Sequence, residues 1–208
     1  GPLLQTTWNQ SGGYNNLMPD MSCTPYSCNG KAYTGCVATA MSQVMRYHQY
    51  PASYNYSIMP NAVSSYLDVS SGANEISKLM RDVANSVDSQ PDCDGTGAAS
   101  NLNDILYALE NTFGYSVTAT ATDFNYNTVK SEIQANRPVI LSGYKDKSGF
   151  IFHTFKGGHV WVADGVRGGT SCGEQNPDGT WTGGASFLPV LSYELGLGRF
   201  KQWMVWVR

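Results

Sequence analysis

Charge is scarce in this chain of 208 residues: only 14% are Asp, Glu, Lys or Arg. Thirteen Lys+Arg stand against sixteen Asp+Glu, a formal net charge of −3. Without a basic excess the chain lacks the electrostatic footprint of a nucleic-acid binder. Long apolar runs are missing too, none approaching the roughly 20 residues of a membrane-spanning helix. No charged-then-apolar leader precedes Gly1-Pro2-Leu3-Leu4, which has the look of a processed or recombinant start. Histidine is rare, with three in all, at 48, 153 and 159, so the candidates for a general base are few. What is plentiful is apolar: 41% hydrophobic residues over this length fit one domain, or two small lobes sharing a core.

Five cysteines stand at 23, 28, 36, 93 and 172, an odd number. Low charge with 22 Gly, 13 Tyr and a Ser/Thr/Asn-rich surface is the composition of exported proteins, where disulfides persist. Four of the five sit in loop contexts rich in Pro, Gly and Asp, and Cys36 does not, so context marks Cys36 as the free thiol. Zinc is the rival reading of the other four; their spacing is not the two-residue knuckle and no His accompanies them, which favours disulfides or free thiols.

Periodicity sets the coarse fold. Residues 1–34 read as irregular, broken by Gly12-Gly13, Asn15-Asn16 and two prolines. Val37, Met41, Val44, Met45 and His48 recur at helical spacing until Pro51. Residues 52–72 read as a long ordered loop. A second helix is predicted over Glu75 to Val87, a third over 102–113 stopped by Gly114, and a fourth over Val129 to Ala135. Strands are predicted at 117–122, 139–141, 159–166 and 200–207, with 167–199 a Gly- and turn-rich insert. Helices dominate the first half and strands the second, an α+β chain with no internal repeat or linker.

Two residues attract chemistry. Cys36 stands at a predicted helix N-terminus behind Gly35, where the helix dipole favours the thiolate; the competing reading is a small buried cysteine packing under the helix. His159 follows Gly157-Gly158 and opens an apolar strand that would hold its imidazole rigidly. His153 is a further candidate to line the same site, from a loop. His48 lies twelve residues along the helix from Cys36, roughly 18 Å at about 1.5 Å per residue, and reads as structural. A Cys with a His about 120 residues downstream is the broad layout of papain-like thiol enzymes.

The segment Thr34-Gly35-Cys36-Val37-Ala38-Thr39-Ala40-Met41, running on through Gln43 to Pro51, closely resembles the nucleophile segment of the streptopain family of cysteine peptidases. Trp8-Asn9-Gln10, Tyr14-Asn15, Phe113-Gly114-Tyr115, Arg137-Pro138-Val139 and Gly157-Gly158-His159 with Asp164-Gly165 keep that family's order. The resemblance implies a papain-like two-lobe fold, with a helical lobe mainly 30–115 and a strand-rich lobe mainly 116–208 of one catalytic domain, 1–208. It implies a secreted, periplasmic or cell-surface endopeptidase, made as a zymogen with an N-terminal propeptide, acting on protein or peptide substrates without metal or organic cofactor. Carried over by position, Cys36 is the nucleophile, His159 the general base and acid, and Gln10 an oxyanion-hole donor beside the Cys36 backbone N–H.

The family's Asn-Trp-Gly-Trp-Gly segment, whose Asn orients the imidazole and whose Trp shields it, does not follow Gly165. Three explanations compete: the segment lies past Arg208, which we favour; Asn176 with Trp181 replaces it; or the site is incomplete. The third catalytic residue is unassigned. Asp164, five residues along the strand from His159, points to the opposite face and reads as structural. Asp92-Cys93-Asp94-Gly95 starts like a calcium loop without the later ligands and reads as a turn. Asp92 to Ser100 aligns loosely with a loop that borders the family's substrate cleft. Trp161, Trp203 and Trp206 have strand-like spacing and read as core. The alternatives to a working peptidase are a catalytically impaired relative and an aromatic-rich extracellular binding module.

Overall fold

The computed structural model describes residues 1–23, 29–93, 96, 102–116, 120–143, 146–148, 154–156, 158–170, 174–175, 181–182, 185–191 and 203–206. Cys28, His153, Cys172, Asn176 and the first residues of the strand predicted at 117–122 lie outside the described residues.

Helix α1, Cys36–His48, forms where the apolar spacing places it. Val37, Ala38, Ala40, Met41, Val44 and Met45 are all buried, so α1 is enclosed on most sides rather than on one stripe. It ends at Gln49, which turns left-handed at φ 52° and donates its N–H to the Met45 carbonyl. Helix α2, Ser71–Ser86, begins four residues before the predicted start. Ser70 explains the difference: its hydroxyl accepts the Ala73 N–H at 3.2 Å, capping a turn that the apolar pattern does not mark. Gly72 allows that turn to sit on a short 3-10 turn at Tyr56–Ile58, since a Cβ there would meet the Ile58 carbonyl at 2.4 Å. The third helix is α3, Leu102–Tyr107, widening into a π turn over Ala108–Thr112. Helix α4, Tyr126–Gln134, starts at Asn125, whose side chain accepts the Thr128 N–H.

The strands build a five-stranded antiparallel sheet in the order β1-β9-β2-β5-β8. They are β1, Thr120–Asp123; β2, Val139–Gly143; β5, His159–Thr170; β8, Ala185–Leu191; and β9, Trp203–Trp206. Two ribbons stand apart, β3 (Asp146–Ser148) with β4 (Thr154–Lys156), and β6 (Glu174–Gln175) with β7 (Trp181–Thr182). The stretch 167–199 is therefore not wholly a turn-rich insert: β5 runs on to Thr170 and pairs with β8. Cross-strand pairing overrides the glycine content that made this stretch look irregular.

Alternation along β2 and β5 divides the core between the two faces of the sheet. Ile140, Val160 and Val162 pack with α1 and α2 in the larger cluster. Val139, Leu141, Trp161 and Ala163 pack with Val129 and Ile133 of α4 in the smaller one. The irregular N-terminal segment ties these regions together. Leu3 and Leu4 donate their N–H groups to the Asp164 carbonyl (2.8 Å) and carboxylate (3.1 Å). Further along, Thr6 donates to Gln43 of α1, the Thr7 N–H to Asn61, and the Trp8 indole to the Pro60 carbonyl. Among the described residues no helix is long and apolar enough to cross a membrane.

Candidate active site

Cys36 is the first residue of α1, and the turn before it is unusual. Gly35 takes φ 89°, a left-handed conformation that costs a residue with a Cβ, and it offers no side-chain cap. Thr39 closes the turn instead, its N–H and hydroxyl both donating to the Gly35 carbonyl at 3.1 and 3.0 Å. Thr34, fully buried, shares a hydroxyl–hydroxyl contact of 3.3 Å with Thr39. These bonds hold the chain so that Cys36 leaves the helix end partly buried and free of any disulfide, as its context predicted.

The α1 terminus abuts the start of β5. The backbone N–H of Val160 points at the Cys36 sulfur, as do the N–H groups of Cys36 itself and Val37. Val160 directly follows His159, which opens β5 opposite Gly143 of β2. Two residues 123 positions apart in sequence are thus brought to the same helix-to-strand junction. Gln10 joins from a third direction: its carbonyl accepts the Thr34 N–H at 3.0 Å and the Thr34 hydroxyl at 3.4 Å. Gln10 is partly buried and lies beside the turn that presents Cys36.

The electrostatics differ from the expectation at Cys36. Burial pushes the Cys36 thiol up, and the three backbone N–H groups, which favour a thiolate, only partly offset it. Burial also pulls the His159 imidazole below its ordinary range. Each direction favours the uncharged form of its own group in the free site. The His159 ring lies against Trp161, two residues on along the same face of β5, with centroids 6.1 Å apart and planes 16° from parallel. The Trp161 indole N–H is buried without a partner among the described residues.

The other histidine predicted as structural behaves so. His48 sits at the far end of α1, packed edge-on against Tyr47 and Tyr115, and burial lowers its pKa. Asp164 occupies the register shift of β5 between Ala163 and Gly165, 5% exposed, and accepts from Leu4 rather than facing His159. Cys93 is bonded to Cys23, so the Asp92-Cys93 turn is half of a disulfide. The pattern missed Thr96. This 6%-exposed residue donates its hydroxyl to the Tyr33 carbonyl and packs on Gly35; its only sequence signal was a place in a Gly-rich loop.

Comparison with known proteins gives the family and the fold. Residues 8–53 and 52–178 match the model of the peptidase C10 family. Over 77% of its length the chain is 30% identical to streptopain of Streptococcus pyogenes, of which it covers 48%. It is 27% identical over 86% of its length to the thiol protease/hemagglutinin PrtT of Porphyromonas gingivalis, covering 22% of that protein. The chain therefore spans half or less of the length of these relatives. The fold is similar to that of interpain A, a cysteine protease of Prevotella intermedia, with a TM-score of 0.65, 22% identity, and 99% of this chain and 93% of that one covered. A fragment of prointerpain A from the same organism gives a TM-score of 0.67 at 22% identity, covering 99% of this chain and 70% of the fragment. The α+β architecture is thus the papain-like one, and the chain belongs to the peptidase C10 family.

Proposed function

We propose that the chain is the catalytic domain, residues 1–208, of a secreted cysteine endopeptidase made as a zymogen with an N-terminal propeptide. The observation that carries this reading is the junction of α1 with β5, where the Cys36 sulfur meets the Val160 backbone beside His159. Cys36 attacks the scissile carbonyl. His159 takes the thiol proton and gives it to the leaving amine, and water activated by His159 then hydrolyses the thioester. The tetrahedral oxyanion is stabilised by the Gln10 carboxamide and the Cys36 backbone N–H. Substrates are protein or peptide chains.

Uncharged Cys36 and His159 in the free site suit this scheme, with proton transfer accompanying substrate engagement rather than preceding it. An epoxide inhibitor of thiol peptidases tests it. The reduced protein is expected to take one adduct, mapped to Cys36 and absent in His159→Ala, and to hydrolyse casein. Adduct formation elsewhere with no casein cleavage would overturn the reading.

A further inference from the structure

The turn that presents Cys36 is held from two sides. Gln10 grips Thr34 on one, as described. On the other, Thr96 is packed so closely on Gly35 that a Cβ there would lie 3.0 Å from the Thr96 carbonyl oxygen and 3.3 Å from its Cβ. The Thr96 hydroxyl donates to the Tyr33 carbonyl and accepts the Asp92 N–H at 3.3 Å. The Asp92 carbonyl in turn accepts the Tyr33 N–H at 3.1 Å. Asp92 and Thr96 thus clasp Tyr33, three residues before Cys36.

No helix or strand holds Asp92, Cys93 or Thr96 in place. Their covalent anchor is the Cys23–Cys93 disulfide, which spans 70 residues and ends at a buried Cys23. The Cys23 side is itself pinned: its N–H donates to Gly30, and Asp20 bridges Lys31. A strap therefore runs from Asp20–Cys23 through the disulfide to Cys93 and by way of Asp92 to Thr96, and Thr96 packs on the residue before Cys36.

We propose that the Cys23–Cys93 disulfide and Thr96 position the turn that presents Cys36, so that a thiol reductant acts on this chain in two opposed ways. It keeps the Cys36 sulfur reduced, and by opening Cys23–Cys93 it releases the turn. The inference rests on the reading of Cys36 as the nucleophile. A dithiol supplies the chemistry: one of its thiolates attacks one sulfur of the pair and the other cysteine leaves as a thiolate. The second thiol then closes on the first, forming the cyclic disulfide. Two electrons and two protons pass to the protein, leaving thiols at Cys23 and Cys93.

The test titrates the protein with dithiothreitol and follows three quantities together. They are the state of Cys23–Cys93 by peptide mass, the rate of iodoacetamide alkylation mapped to Cys36, and kcat and KM on a peptide. Activity is expected to rise and then fall, the fall tracking the opening of Cys23–Cys93. Cys23→Ser combined with Cys93→Ser is expected to lower kcat and the Cys36 alkylation rate about ten- to a hundredfold with KM little changed. Thr96→Ala should do the same with the disulfide intact, and Thr96→Ser, which keeps the hydroxyl, should restore the rate. Activity that stays maximal after the disulfide is open, or a Thr96→Ala protein with unchanged kcat and alkylation rate, overturns the proposal. If the double serine variant does not fold, Thr96→Ala and the titration decide. If no peptide is hydrolysed, the proposed function fails, and the Cys36 alkylation rate before and after reduction still decides the role of the strap.

Discussion

The imidazole of His159 and the indole of Trp161 stack with centroids 6.1 Å apart, two residues apart on one face of β5. Burial lowers the His159 pKa, and the stacked indole is the aromatic neighbour through which that burial can be tested. A depressed histidine is neutral, and so able to act as a base, at a lower pH than usual. Trp161→Ala is expected to wet the ring and raise that pKa, moving the acid limb of the kcat/KM profile to higher pH. Trp161→Phe should leave it nearly in place. An unmoved limb in Trp161→Ala would show that the stacking does not set the titration.

Gln10 offers a cleaner separation of binding from chemistry. Its backbone carbonyl holds Thr34 whatever the side chain is, so Gln10→Ala should fold and keep the Cys36 turn. Loss of one oxyanion donor is expected to cost about a hundredfold in kcat with little change in KM. Steady-state kinetics on one peptide measure both.

Gly35→Ala tests the turn from inside. The new Cβ would have to tolerate φ 89° and a 3.0 Å approach to the Thr96 carbonyl. Strain of this type costs on the order of 1–3 kcal/mol. The expected result is a lower melting temperature together with slower alkylation of Cys36, since relief requires the turn to move. A melting temperature and alkylation rate equal to wild type would mean the turn has slack.

Asp164 links pH to stability. Burial raises its pKa above the ordinary value, so the folded chain holds a proton there that the unfolded chain has already released. Stability from this group is therefore present at acid pH and falls as pH rises from about 4 upward through the raised value. Asp164→Asn keeps an acceptor for the Leu4 N–H but cannot titrate, and is expected to flatten that part of the melting-temperature profile. Asp164→Ala leaves the Leu4 N–H unpaired and should destabilise at every pH, by about 1–3 kcal/mol.

Much of the fold was legible because it is periodic. Val37, Met41, Val44 and Met45 mark α1, and the apolar run after His159 marks β5, because both bury regular faces. Less regular features were hidden for stated reasons. The start of α2 depends on the Ser70 cap and on Gly72 fitting under Ile58, neither of which alters the apolar pattern. Pairing of β8 with the glycine-rich end of β5 is a long-range effect that no local window contains. At the site, Cys36, His159 and Gln10 stood out, and Thr96 did not, because its role lies in a contact with Gly35 and not in its own chemistry.

We propose that the Asn-Trp-Gly-Trp-Gly segment, rather than lying past Arg208, is encoded out of frame within the chain. Its codons are AAY-UGG-GGN-UGG-GGN. Read from one nucleotide upstream they become NAA-YUG-GGG-NUG-GGG, which encode Glu, Gln or Lys, then Leu, Gly, one of Leu, Met or Val, and Gly. Residues 194–198 are Glu-Leu-Gly-Leu-Gly. The family match ends at residue 178, and on this proposal the offset in reading frame would fall between there and residue 194. Nucleotide sequencing is expected to show GAA at position 194, codons ending in UG at 195 and 197, and GGG at 196 and 198. Any other codon at these positions would end this explanation. With the frame restored, the expressed chain should gain orders of magnitude in kcat, the scale on which orienting the imidazole acts.

The N-terminal segment has a consequence for the order of events in folding. Leu4 meets Asp164 across 160 residues of chain, whereas the bonds within α1 and α2 close over a few. Contacts of such long span carry the larger loop-closure cost, so they form after local structure and are the first to be given up on the way out. Residues 3–8 touch both β5, which carries His159, and α1, which carries Cys36. The register between these two residues is therefore among the last features the chain acquires, and a partly folded molecule with its helices complete would still be chemically silent.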